Sequence, residues 1–133
     1  MKNIFLVCSF CTLVQSTSFA STFLGKVGPF YQDEMSTETA LIKHCIPVKK
    51  NLQCYVEKSS ANHIPRIKFD FVTLTYESGF QETIEGAALG SVRGFNVEPD
   101  SENGCLKNVT LRASDTGFNP GHQNVSYVEI WAD

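Results

Sequence analysis

The chain has 133 residues, of which 42% are hydrophobic and 19% are charged, and its formal net charge is −3 at pH 7. This mild acidic excess gives no electrostatic reason to expect nucleic acid as a partner, because nucleic acid is a polyanion. The length is that of one small domain. After the N-terminal segment no second long apolar run exists, so no stable membrane insertion is expected once that segment is removed.

Residues 1–20 have the parts of a secretory signal. Lys2 supplies the positive charge, residues 4–14 are largely apolar, and the small side chains of Ser18 and Ala20 suit a signal peptidase. The apolar stretch is too short to cross a bilayer core, which takes roughly 20 residues. We therefore expect cleavage after Ala20 and a secreted or periplasmic location.

The remaining sequence divides into an arm and a β domain. Residues 21–39 show no sustained periodicity and are interpreted as an irregular arm with a short strand, although a helix over 35–43 is an alternative because Ser36 could cap it. From residue 40 onward, short runs rich in Val, Ile, Thr, Phe and Tyr alternate with Gly, Pro, Asn and Asp. This pattern predicts an all-β fold over residues 40–133, an antiparallel β-sandwich or small barrel of six to seven strands.

The clearest predicted strand covers residues 66–77. Apolar and polar residues alternate up to Phe71, and the phase of the pattern then shifts at Val72. Such a shift predicts a β-bulge, or a strand that is buried on both faces at its far end. The stretch 80–88 is expected to return as its hairpin partner, and the small residues between 86 and 94 predict a sharp bend between sheets or a close approach of backbones.

Removal of the signal would leave three cysteines, Cys45, Cys54 and Cys105. If residues 41–46 and 52–57 form a hairpin, Cys45 lies opposite Cys54 and within disulfide distance. A Cys45–Cys54 disulfide is therefore favoured over a bridge from either cysteine to Cys105. Cys105 would then be a free thiol, which we interpret as a small buried residue in preference to a nucleophile.

No motif for a cofactor, a metal or catalysis stands out. His63 and His122 fall in predicted loops, where a solvated histidine is expected, and the histidines form none of the spaced pairs that bind zinc. Glu98, Asp100 and Glu102 alternate in a loop but lack the full calcium-loop spacing. The sequence contains no serine-hydrolase elbow, phosphate loop or dinucleotide-binding motif. No cofactor is predicted.

Charge is unevenly distributed along the chain. Residues 43–68 contain six Lys or Arg and one acid, whereas residues 69–104 contain seven acids and one Arg. These charges could satisfy one another across the fold, or the segment around Lys49 and Lys50 could steer an acidic partner. The leading hypothesis is a secreted or periplasmic binding protein, without enzymatic activity, that engages another protein through loops or this basic hairpin.

Two alternatives stay open. One is a small hydrolase or thiol enzyme that uses Cys105 or a histidine, and it requires Cys105 to be accessible and reactive. The other is a structural subunit of a surface assembly, in which residues 23–27 or 125–131 take part in strand exchange.

Export predicts a defined N-terminus for the mature protein. Protein recovered from outside the cytoplasm of its own host should begin at Ser21, because cleavage after Ala20 fits the small-residue rule of signal peptidases. N-terminal sequencing and intact-mass measurement check this. An exported chain that still begins at Met1 would contradict the interpretation.

Overall fold

The computed structural model describes residues 21–43, 51–99 and 104–132. The strands in chain order are β1 (Thr22–Tyr31), β2 (Ser36–Leu41), β3 (Leu52–Val56), β4 (Ile67–Tyr76), β5 (Gln81–Glu85), β6 (Ser91–Val92), β7 (Gly94–Val97), β8 (Leu106–Asp115) and β9 (Val125–Ala132). A short 3-10 turn, Ala87–Leu89, lies between β5 and β6. The predicted all-β class is confirmed for the described residues.

The strands form two antiparallel sheets that are not closed into a barrel. One sheet has the order β1-β9-β3-β7, and the other has the order β2-β8-β4-β5 with β6 paired to β4. In the four-stranded sheet residues 128–132 of β9 are paired on both sides, so they offer no free backbone edge for strand exchange. Among the described residues, the edge strands of that sheet are β1 and β7.

One face of each sheet contributes to a shared apolar core. Along β9 the even-numbered residues are buried and the odd-numbered ones are not, as expected for a strand with one buried face. Phe69 of β4 stacks on Phe95 of β7, with ring centroids 4.1 Å apart and an interplanar angle of 21°. A Cβ atom at Gly86 would lie 1.9 Å from the ring of Phe69, so this position requires glycine. These contacts give a two-layered, sandwich-like arrangement.

Two local predictions are confirmed. The pairing of β4 with β8 shifts register between Phe69 and Phe71, where the apolar pattern changes phase. The chain also changes sheets at Arg93, because β6 pairs with β4 whereas β7 pairs with β3. The small residues before this point permit the bend.

The short strand predicted around residues 23–27 is confirmed as part of β1, whereas the otherwise irregular arm and the alternative helix are wrong. Residues 22–31 form the edge strand β1, and residues 36–41 form β2, which pairs with β8 from Ser36 opposite Ala113 to Leu41 opposite Asn108. Thr37 and Thr39 are β-branched and suit this pleated environment. The long-range pairing with β8 outweighs the helix-capping tendency of Ser36.

The predicted Cys45–Cys54 disulfide is also wrong. Cys54 is a free, buried thiol in β3, with Ile130 of β9 on one side and Phe95 of β7 on the other. Both edges of β3 are occupied, by β9 and by β7, so Cys54 does not lie in the two-stranded hairpin that the disulfide prediction assumed. Cys45 itself lies outside the described residues. Cys105 is disulfide-bonded, so its sulfur offers no free thiol.

Burial makes Cys54 unreactive. Desolvation raises the pKa of the Cys54 thiol from 9.0 to about 12, and the thiolate is the form that reacts with alkylating reagents. Folded protein at neutral pH should therefore leave Cys54 unlabelled by iodoacetamide, whereas unfolded protein is labelled, as peptide mapping by mass spectrometry can show. Labelling of Cys54 in the folded state at the rate of an exposed thiol would contradict this.

The raised pKa of Cys54 also makes the free energy of unfolding depend on pH. Between pH 9.0 and about 12 the unfolded chain loses the Cys54 proton while the folded protein keeps it. The contribution of this thiol to stability is therefore complete below pH 9.0 and decreases as pH rises through that range.

Candidate functional site

Two loops meet in a tight junction. The loop between β3 and β4 contributes residues 59–65, and the loop between β8 and β9 contributes residues 116–124; we call these residues the loop junction. The Ile64 N–H donates to the Phe118 carbonyl at 2.7 Å, and the Phe118 N–H donates back to the Ile64 carbonyl at 3.0 Å. This pair of backbone hydrogen bonds makes an isolated antiparallel bridge between segments that are distant in sequence.

Gly117 permits the close approach of the two loops. A Cβ atom there would lie 2.2 Å from the Ile64 carbonyl oxygen and 2.9 Å from the Arg66 amide nitrogen. Both are backbone atoms, so no side-chain rotation relieves the clash. The Gly117 N–H donates to Oδ1 of the buried Asp115 at 3.1 Å, and the same oxygen accepts from Ser126 Oγ at 2.7 Å. The Asp115 carboxylate thus ties the loop to the start of β9.

A network of polar side chains around the buried His63 and Asn119 joins the loops further. His63 and Asn119 are only 4% and 5% exposed. The Ser59 N–H donates to His63 Nδ1 at 3.0 Å, so this nitrogen acts as an acceptor, and Ser59 Oγ lies 3.1 Å from the same atom. Asn119 Nδ2 donates to Ser59 Oγ at 3.1 Å, and Ser60 Oγ donates to Asn119 Oδ1 at 2.8 Å. Side chains as well as backbone therefore fix the geometry of the junction.

Asn124 extends this network towards β1. Its Oδ1 accepts from the Asn119 N–H at 3.0 Å, and its Nδ2 donates to Gln32 Oε1 at 2.8 Å. The His122 N–H donates to the Asn119 carbonyl at 3.0 Å. The loop before β9 is thus held at both ends and in its middle.

The junction displays an exposed apolar pair on two uncharged loop segments. The side chains of Ile64 and Phe118 are 54% and 57% exposed. Opposed residues of an antiparallel bridge project to the same side, so the two side chains are neighbours. Residues 59–65 and 116–124 contain no Asp, Glu, Lys or Arg. An exposed aromatic residue in a charge-depleted patch is typical of the centre of a protein–protein interface.

The structure describes some of the residues that were singled out from the sequence and not others. Lys49 and Lys50 lie outside the described residues, so the basic hairpin stays a prediction. His63 is buried, contrary to the expected solvated loop histidine, whereas His122 is exposed as expected. The pair Ile64 and Phe118 was missed, because the contact joins loops that the sequence does not connect; the uncharged composition of both loops was the available signal.

The described residues contain neither a candidate metal site nor a candidate membrane-spanning helix. No group of three or more His, Cys, Asp or Glu side chains there gathers in a metal-binding arrangement. No helix in that part of the chain has the length and hydrophobicity needed to span a membrane.

The fold and the junction define a class: an antiparallel two-sheet β protein that presents an exposed apolar pair on tightly bridged loops. Compared with known proteins, the chain matches no family model, no curated protein and no solved structure.

The close contact at Gly117 predicts a large effect for a small substitution. Gly117→Ala should lower the free energy of unfolding by about 1–3 kcal/mol, because the new methyl group forces the two loop backbones apart. Gly25→Ala is the matched control, since its nearest non-local atoms are 3.8 Å away. Urea unfolding of both variants measures the difference, and equal stabilities would contradict the role given to Gly117.

Proposed function

We propose that this protein is a secreted or periplasmic binding protein that engages another protein through the loop junction. The observation that carries the proposal is the exposed pair Ile64 and Phe118, held by two backbone hydrogen bonds on loop segments that contain no charged residue. Binding loops on a rigid β scaffold are a common means of recognition.

The rigidity of the junction favours binding. Association is opposed by the entropy lost when loops and side chains become ordered, and a loop that is already fixed loses less. The Asn119 side chain and the Gly117 contact fix the backbone on either side of Phe118 before any partner arrives. The backbone that carries Phe118 is therefore fixed in one position, which suits an anchor residue.

The composition of the junction indicates the chemistry of the partner surface. Burying a phenylalanine side chain contributes about 1.5–3 kcal/mol, so Phe118 and Ile64 call for an apolar pocket on the partner. The uncharged polar residues around them suit a rim that forms neutral hydrogen bonds. We expect the affinity to depend weakly on salt, unlike binding through Lys49 and Lys50, which would weaken as ionic strength rises.

The thiol-enzyme alternative receives no support from the site. Cys105 is disulfide-bonded, and the Nδ1 atom of His63 already accepts a hydrogen bond from the Ser59 backbone.

The proposal is tested by substitution at the anchor. Proteins that bind the immobilised mature chain are recovered from the extracytoplasmic fraction of its host, identified, purified and titrated by calorimetry. The double substitution Ile64→Ser and Phe118→Ser should weaken binding of such a partner by at least roughly tenfold, as expected for loss of an interface hot spot. Phe80→Ser is the matched control, because Phe80 is also exposed, at 46%, but lies before β5 in the other sheet.

A partner that binds the junction variant and the wild type equally well would overturn the proposal. Substitution of Lys49 and Lys50 by alanine separates the two binding modes. If this change alone abolishes binding, the basic hairpin is the interface and the loop junction is not.

A further inference from the structure

The outer face of the four-stranded sheet carries a group of aromatic side chains. In β3 and β9 the odd-numbered residues point away from the core, and they include Tyr55, Tyr127 and Trp131. Phe23 of β1 pairs with Trp131 and is 49% exposed, while Tyr55 and Tyr127 are 39% and 36% exposed. We call the surface defined by these four residues the aromatic face. It is separate from the loop junction.

The strand register arranges this face in rows. Trp131 lies between Phe23 of β1 and Gln53 of β3, and Gln53 in turn lies opposite Asn96 of β7. One row therefore runs from two aromatic rings to two amide side chains. Amides supply both hydrogen-bond donors and acceptors, so this row combines an apolar part with a polar part.

The next row contains an open depression. Tyr55 lies opposite Glu129 on one side and Gly94 on the other. A Cβ atom at Gly94 would lie 2.8 Å from the Cys54 carbonyl oxygen, so no other residue fits there without movement of the backbone. The missing side chain leaves a depression of about 380 Å³, lined by Tyr55, Arg93 and Gly94. The ring of Tyr55 and the Arg93 side chain are thereby accessible together.

Trp131 is held in one orientation. Its indole Nε1 donates to Glu129 Oε1 at 3.0 Å. The ring of Phe23 packs against it edge to face, with centroids 5.1 Å apart at 66°. The indole is thus fixed before any ligand binds, which lowers the entropic cost of stacking on it.

The charges on the face balance and are largely engaged with one another. Lys26 Nζ lies 3.3 Å from Glu57 Oε2 and 5.1 Å from the centroid of the Tyr127 ring. Glu129 accepts the hydrogen bond from the indole. With Arg93, the face carries two basic and two acidic residues, and this balance favours an uncharged ligand over an anion or a cation.

We infer that the aromatic face binds a neutral oligosaccharide. A pyranose ring has an apolar side made of C–H groups and a rim of hydroxyl groups. Aromatic ring faces attract polarised C–H groups, while amide and guanidinium groups hydrogen-bond to hydroxyls. Tyr55 and Trp131 supply the ring faces, and Gln53, Asn96 and Arg93 supply the hydrogen bonds.

Trp131 provides a local reporter for the test, because it is the only tryptophan of the chain. The mature protein is titrated with the neutral hexasaccharides cellohexaose, hexa-N-acetylchitohexaose, xylohexaose, maltohexaose and mannohexaose while tryptophan emission is recorded. At least one should give a saturable change in emission at micromolar to millimolar concentration. Heparin and polygalacturonate, which are anionic, and phosphatidylcholine vesicles should not.

Substitutions test whether the hexasaccharide binds at the aromatic face. Tyr55→Ala should weaken binding of the responding hexasaccharide by roughly tenfold or more, because the stacking surface beside Gly94 is lost. Tyr55→Phe keeps the ring and should restore most of the affinity. Phe80→Ala, an exposed aromatic residue of the other sheet, should leave binding unchanged, as should Phe118→Ser, which removes the anchor of the loop junction.

Several outcomes would overturn the inference: no response to any of the neutral hexasaccharides, a response only to the anionic polysaccharides or only to the vesicles, or equal binding by Tyr55→Ala and the wild type. Retention of sugar binding by Phe118→Ser, together with a negative result for protein binding, would remove the proposed function and leave the sugar site standing.

Discussion

The rings of Phe69 and Phe95 stack with their centroids 4.1 Å apart, and this contact joins the five-stranded sheet to the four-stranded one. Each sheet is stable only when its apolar face is covered, so the strands must keep strict alternation between core and solvent. Gly86 leaves room for the Phe69 ring, and the bulge before Phe71 restores the alternation after the phase change. Residues that the core does not use are then free to form binding surfaces.

The loop junction and the aromatic face differ in shape. The loop junction presents two protruding side chains, Ile64 and Phe118, on a backbone fixed by polar contacts. The aromatic face is flatter, and its rings are spaced by strand register. A protruding anchor suits a pocket on a protein, whereas a flat aromatic platform with amides beside it suits the face of a sugar ring. The two proposed sites share none of their defining residues and can therefore be tested separately.

Short-range patterns in the sequence predicted most of the strands. The errors arose where the structure depends on pairing between strands that are distant in sequence. The shift at Val72 and the final strand were visible because alternation is a local property. The helix alternative at Ser36 and the hairpin that would place Cys45 opposite Cys54 assumed local partners. Cys54 instead lies between two strands that are far away in sequence. The apolar pair Ile64 and Phe118 could not be predicted for the same reason, since nothing in the sequence of either loop indicates that the two loops contact each other.

The pairing of β1 with β9 has a consequence for how the protein is made. Thr22 lies opposite Ala132 and Lys26 lies opposite Glu129, so β1 has no partner in its sheet until β9 has been synthesised. Contacts between such distant segments also form slowly. The four-stranded sheet can therefore be completed only after its last strand has left the ribosome, so the protein reaches its final fold after translation of β9 and not progressively along the chain.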